Sequence, residues 1–159
     1  MKLTPPSMDR DTMPNYLSAL VMAVIVVMLF TPFWHFGEGE AAQAVSINSY
    51  VWFPSDNTQV ESYFQEALGE KPDINSVIVA PILLLVFGVL GALVCIMKAD
   101  QPFAAVFPAF VGIAGIWGFA AVPALRLGGA WGIMLALCIA LVCLGVWTVI
   151  RAISMRKHA

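Results

Sequence analysis

Polar and apolar residues along this chain are sorted into long blocks instead of alternating. Four runs, Tyr16–Phe36, Ser76–Met97, Pro102–Leu125 and Leu127–Ile150, contain no Asp, Glu, Lys or Arg. Each is close to the roughly 20 residues that a helix needs to cross a hydrocarbon core of about 30 Å. In lipid only a segment that satisfies its own backbone hydrogen bonds can span, so each run is expected to be helical. The pattern predicts an all-α integral membrane protein, a four-transmembrane-helix antiparallel bundle over 16–150. It is flanked by a cytoplasmic tail at 1–15 and a basic cytoplasmic tail at 151–159, with a short structured extracytoplasmic loop at 37–75 between helices 1 and 2. Only Lys98-Ala99-Asp100-Gln101 separates the second and third runs, and Arg126 with Gly128 and Gly129 surrounds the next turn. Connections that short make the last three helices antiparallel neighbours.

Punctuation residues sharpen the ends. Asp11 or Thr12 is placed to cap the first span with Pro14 in its opening turn, and Asp100 to cap the third with Pro102 in the same role. Thr31-Pro32 should kink or end the first span, leaving Phe33-Trp34-His35-Phe36 as an interfacial collar. In the loop, Ser46–Phe53 ends in a β-prone stretch and Pro54-Ser55-Asp56-Asn57 is dense in turn formers. Thr58-Gln59-Val60-Glu61 has the capping-box pattern, with Gly69 and Pro72 as a stop. The expected element is a short amphipathic helix over Thr58–Leu68, with Val60, Phe64, Ala67 and Leu68 on one face, lying on the outer membrane surface or capping the bundle. A partner-docking surface formed by Tyr50, Trp52, Phe53, Val60, Phe64 and Leu68 is the functional alternative.

Composition agrees with the spans: 60% of residues are hydrophobic and 11% charged, against about a quarter charged in soluble domains. The charges orient the bundle. Lys2, Arg10, Lys98, Arg151, Arg156 and Lys157 fall on one side of the predicted topology and only Lys71 and Arg126 on the other, so both termini are expected in the cytoplasm of a cell-membrane protein. Ala42-Gln43-Ala44 has the form of a signal-peptidase site, but the preceding run exceeds a signal core of about 7–15 residues and Asp9 and Asp11 stand beside the basic residues. The first span is therefore expected to be retained.

Within the spans the clearest periodicity is Gly128, Gly132, Ala136 and Ala140, small residues four apart on the fourth run. Ala105/Ala109, Ala114/Gly118, Gly112 and Gly115 form a related series on the third. Small side chains at this spacing let helix backbones approach closely, which predicts either a contact between spans three and four or an oligomer interface. Tyr16 and Trp147 are expected at the cytoplasmic boundary, Trp34 and Trp131 at the outer one, and Trp117 packed inside against the glycines.

Candidate chemistry is sparse. The histidines, His35 and His158, fall on opposite sides of the predicted membrane, and Cys95, Cys138 and Cys143 have no C-x-x-C spacing. The thiols are expected as small buried apolar residues. Proton relays and ion paths need an ionisable group facing the bundle interior, and no span carries one away from its ends. Pro81 and Pro108 could free backbone carbonyls but have no convergent polar partner. No catalytic residue, metal or cofactor is expected, and no basic patch supports nucleic-acid binding; Arg151, Arg156 and Lys157 read as a lipid anchor. The expected role is a non-enzymatic accessory, assembly or scaffold subunit of a membrane complex, contacting the lipid bilayer and a membrane-protein partner or a second copy. The alternative is an oligomeric channel or carrier for a small neutral or apolar solute.

Overall fold

The computed structural model describes residues 7–30, 65, 69, 74–121 and 130–157. These hold four helices: α1 (Met13–Leu29), α2 (Ile74–Met97), α3 (Val106–Ala121), which a 3-10 turn at Pro102–Ala105 leads into, and α4 (Ala130–Lys157). No strand occurs among the described residues. Val79–Met97, Pro102–Ala121 and Trp131–Ser154 are long and apolar enough to cross a membrane, and α1 is a shorter apolar helix of 17 residues.

The helix starts differ from the capping expectation. Thr12 is the residue before α1, but neither it nor Asp11 caps with its side chain. Asp9 does the equivalent work one turn earlier, its Oδ1 accepting the backbone N–H of Asp11 at 2.9 Å and of Thr12 at 3.1 Å. The Thr12 hydroxyl instead donates to the Ser7 carbonyl at 2.9 Å. Ahead of α3, Asp100 is likewise not the cap: Gln101 is extended and Pro102 opens the 3-10 turn, where its missing N–H leaves nothing unpaired. At the other end of the chain, α4 passes Ile150 and continues to Lys157. Straight-chain and small residues such as Arg151, Ala152, Arg156 and Lys157 offer nothing that stops a helix.

The four helices pack in a ring, α1 on α2, α2 on α3, α3 on α4 and α4 on α1. Their inward positions recur at three- and four-residue steps: Asn15, Ser18, Met22, Ile25 and Leu29 on α1, and Trp131, Met134, Cys138, Leu141, Gly145 and Thr148 on α4. The core they form with Ala80 and Leu84 of α2 and Val111 of α3 is filled by Met22, Ile25, Leu84, Trp131, Met134 and Leu141. Outward positions are equally apolar, among them Leu20, Val24, Val27, Ile133, Val146 and Ile150. A helix hydrophobic all round is the form expected where the surroundings are lipid.

Helix backbones meet most closely along one side of α3. A methyl group at Gly112 would stand 2.6 Å from the Cys138 carbonyl oxygen and 2.7 Å from Val142, one at Gly115 would collide with the Cys138 thiol, and one at Gly118 would be 2.7 Å from Ala80. Gly145 answers from α4, with Ala109 and the Ala105 carbonyl at 3.2 and 3.3 Å from such a methyl. Ascending α3 thus descends α4, and the two run in opposite directions. Gly132 lies elsewhere: it is exposed with open space around it, Ala136 is exposed and Ala140 half-buried. The small residues of α4 that meet α3 are therefore not the Gly132/Ala136/Ala140 row, because the inward stripe of α4 passes through Trp131, Met134, Cys138 and Leu141 on another face. Gly128 lies outside the described residues.

Two tryptophans exchange their expected roles. Trp131 is 1% exposed, lies over Gly118 and stacks with Phe119 at a ring separation of 6.5 Å. Trp117, expected inside, is 45% exposed. Gly118 supplies the space, but it faces the ring entering from α4, not its own chain neighbour. Cys95 and Cys138 are buried as expected, while Cys143 faces outward.

Candidate functional site

The outer-loop residues proposed as a partner surface, Tyr50, Trp52, Phe53, Val60, Phe64 and Leu68, lie outside the described residues, as do His35 and His158. Within that segment Gly69 is described: its φ is +74° and its N–H donates to the Gln65 carbonyl at 2.9 Å. This left-handed conformation, which L side chains rarely adopt, is the geometry of a helix-ending glycine.

A polar concavity lies where the start of α1, the turn between α2 and α3, and the end of α4 converge. It is a cleft of about 310 Å³ walled by Asp9, Asp11, Thr12, Asn15, Asp100, Gln101, Thr148 and Arg151 with Pro14, Ala99, Pro102 and Ala152. Asn15, 1% exposed, ties α1 to the turn by donating from Nδ2 to the Ala99 carbonyl at 2.8 Å. Its Oδ1 is buried with no hydrogen-bond partner among the described residues. Arg151 ties α4 to the same region: Nη2 meets Asp11 Oδ1 at 2.5 Å, and Nη1 donates to the Arg10 carbonyl. Gln101 Nε2 donates to Asp100 Oδ2 at 3.1 Å across the exposed lip. Thr148 in the wall, and Ser18 a turn further along α1, turn their hydroxyls back onto their own helices, to the Leu144 and Pro14 carbonyls.

The cleft is acidic. Arg151 pairs directly with Asp11, and among these walls Asp9 and Asp100 make no direct ion pair. Asp9 is held below the ordinary carboxyl value of 3.8, first by the Asp11 N–H, then by the Thr12 N–H and hydroxyl, with the positive charge of Arg151 adding to the effect and desolvation opposing it.

A second concavity, about 450 Å³, opens outward between α3 and α4 and is lined by apolar residues including Ala109, Phe110, Ile113, Gly145, Val146 and Ile150. No group of three or more His, Cys, Asp or Glu placed to hold a metal occurs among the described residues.

Sequence reading places Arg151 in a lipid anchor and treats Asp100 and Asp11 as helix caps, but does not single out Asn15, whose signal is slight: an amide at the first turn of an apolar run. No family model, curated protein or solved structure matches this chain.

Proposed function

We propose that this chain is a four-span antiparallel bundle with both termini cytoplasmic, serving as a non-enzymatic accessory, assembly or scaffold subunit of a membrane complex. Three helices meet the length and composition needed to span. The fourth, α1, covers about 25 Å at 1.5 Å per residue, and its apolar sequence continues to Phe36, which supports a full crossing. The observation that carries the functional reading is the filled interior. Met22, Ile25, Leu84, Trp131, Met134 and Leu141 occupy the space between the helices, and no charged side chain stands among the buried residues described. A bundle closed in this way acts through its surfaces. The same packing weighs against a solute path through one copy, so the channel or carrier alternative would have to conduct between copies.

On that reading the outward row of Gly132 and Ala136 is the surface on which a partner helix or a second copy approaches, since nothing among the described residues covers it. Gly132→Ile tests this. In mild-detergent extracts of the native membrane, the expected result is a complex of defined size that dissociates in the variant while its thermal unfolding temperature stays at the parental value. A monomer in the parental protein, or a complex indifferent to Gly132→Ile, overturns the proposal.

A further inference from the structure

We propose that the outward groove between α3 and α4 holds one acyl chain of a bilayer phospholipid, which enters beside Pro102 and Arg151 and lies along the helices for the depth of one leaflet. The first argument is shape. The floor is made of Ala105, Ala109 and Gly145, where the backbones come so close that a methyl group on Gly145 would stand 3.2 Å from Ala109. Val106, Phe110 and Ile113 rise on the α3 side and Val146, Val149 and Ile150 on the α4 side, all exposed. These walls have little freedom to turn inward. Five of the six are β-branched and stiff at χ1, and the other, Phe110, packs against Phe87 of α2 with ring centroids 4.5 Å apart. A groove of about 450 Å³ framed in this way keeps its width and needs a filler.

The second argument is the surroundings. Pro102–Ala121 and Trp131–Ser154 are long and apolar enough to cross a membrane, so a concavity on their outward side opens onto hydrocarbon. Left empty, its walls forfeit dispersion contacts. The lining is apolar throughout, so it has nothing to offer a polar ligand. The third argument is register. The lining residues form one stripe on each helix, and from Ala105 to Ile113 the groove covers about 12 Å at 1.5 Å per residue. That is close to half of a hydrocarbon core of about 30 Å. At one end Ala105 follows Pro102 and Ile150 adjoins Arg151, where the polar cleft begins. An acyl chain has this geometry, fixed at the headgroup level and extended over one leaflet. A protein partner is a poorer fit: nine residues line the groove, against roughly 20–30 a side in a stable protein–protein interface. The inference rests on α3 and α4 spanning the membrane and uses one copy of the chain, so it stands apart from the accessory-subunit reading.

The test uses the full-length protein in nanodiscs of phosphatidylcholine that carries a diazirine near the middle of one acyl chain. After irradiation, labelled residues are mapped by mass spectrometry. Phe110, Ile113 and Val146 are expected to be labelled about fivefold above Leu20 on α1 and Leu93 on α2, which are also exposed but stand outside the groove. A fivefold preference corresponds to about 1 kcal/mol, the dispersion gained from roughly 5–10 atom pairs. Val149→Trp adds an indole to an exposed wall and should bring labelling of Phe110 and Ile113 down to the level of Leu20 and Leu93, whose own labelling stays constant. Leu93→Trp should leave groove labelling unchanged. Even labelling of the outward residues in the parental protein overturns the proposal whatever the variants do. Labelling of the groove below that of Leu20 and Leu93 would show that protein covers it and overturns the proposal as well, as does groove labelling that survives in Val149→Trp.

Discussion

At the scale of single residues, small side chains matter in this bundle by where they point and not by how regularly they recur. Gly112 sits where a methyl group would stand within 3 Å of a carbonyl oxygen on α4, and a backbone atom cannot step aside as a flexible side chain can. Gly112→Ala should therefore lower stability by about 1–3 kcal/mol, the usual cost of overpacking a tight interior. Gly132→Ala, where nothing lies within reach, should leave stability unchanged or raise it slightly, because alanine loses less backbone freedom in a helix. Unfolding in detergent with increasing sodium dodecyl sulfate checks the pair; equal midpoints for the two variants would contradict the placement of α3 against α4. The tryptophans make the same point. Both Trp117 and Trp131 stand near glycines in sequence, and only the meeting of α3 with α4 decides that Gly118 accommodates Trp131.

At the scale of an element, the start of α1 depends on a carboxylate. Asp9 collects two backbone N–H groups ahead of the helix, and its pKa is held below the ordinary value of 3.8 by these bonds. The sign follows directly. A carboxyl whose folded value is depressed favours the folded arrangement while ionised; that contribution is complete well above 3.8 and is lost as pH falls through the lower folded value. The amide resonances of Asp11 and Thr12 in micelles should accordingly hold steady at neutral pH and shift on acidification with a midpoint below 3.8. In Asp9→Asn this transition should disappear, and a midpoint at or above 3.8 in the parental protein would show that the turn is not organised by Asp9.

At the scale of the whole molecule, the ring of helices gathers Arg10, Asp11, the α2–α3 turn and Arg151 at one end. On the proposed topology, in which basic residues gather at the termini and at Lys98, that end faces the cytoplasm. In intact cells, with Cys143 replaced by Ala, a cysteine introduced at Ser55 should react with an impermeant maleimide. One at Ser154 should react only after permeabilisation. The reverse pattern would invert the topology and move the acidic cleft to the outer face.

The apolar blocks alone determined that this chain is helical and belongs in a membrane, because absence of charge over about 20 residues has few other physical outcomes. The two long helices at Ile74–Met97 and Ala130–Lys157 begin within a few residues of the sequence boundaries for that reason. Facing was not legible. A helix apolar all round has no polar side to mark its outer face, so neither the row of Gly132 and Ala136 nor the position of Trp131 could be oriented from periodicity. The polar cleft was less legible still. Asp9, Asn15, Asp100 and Arg151 are separated by up to most of the chain, and only the closing of α1 onto α4 and the α2–α3 turn gives them a common space.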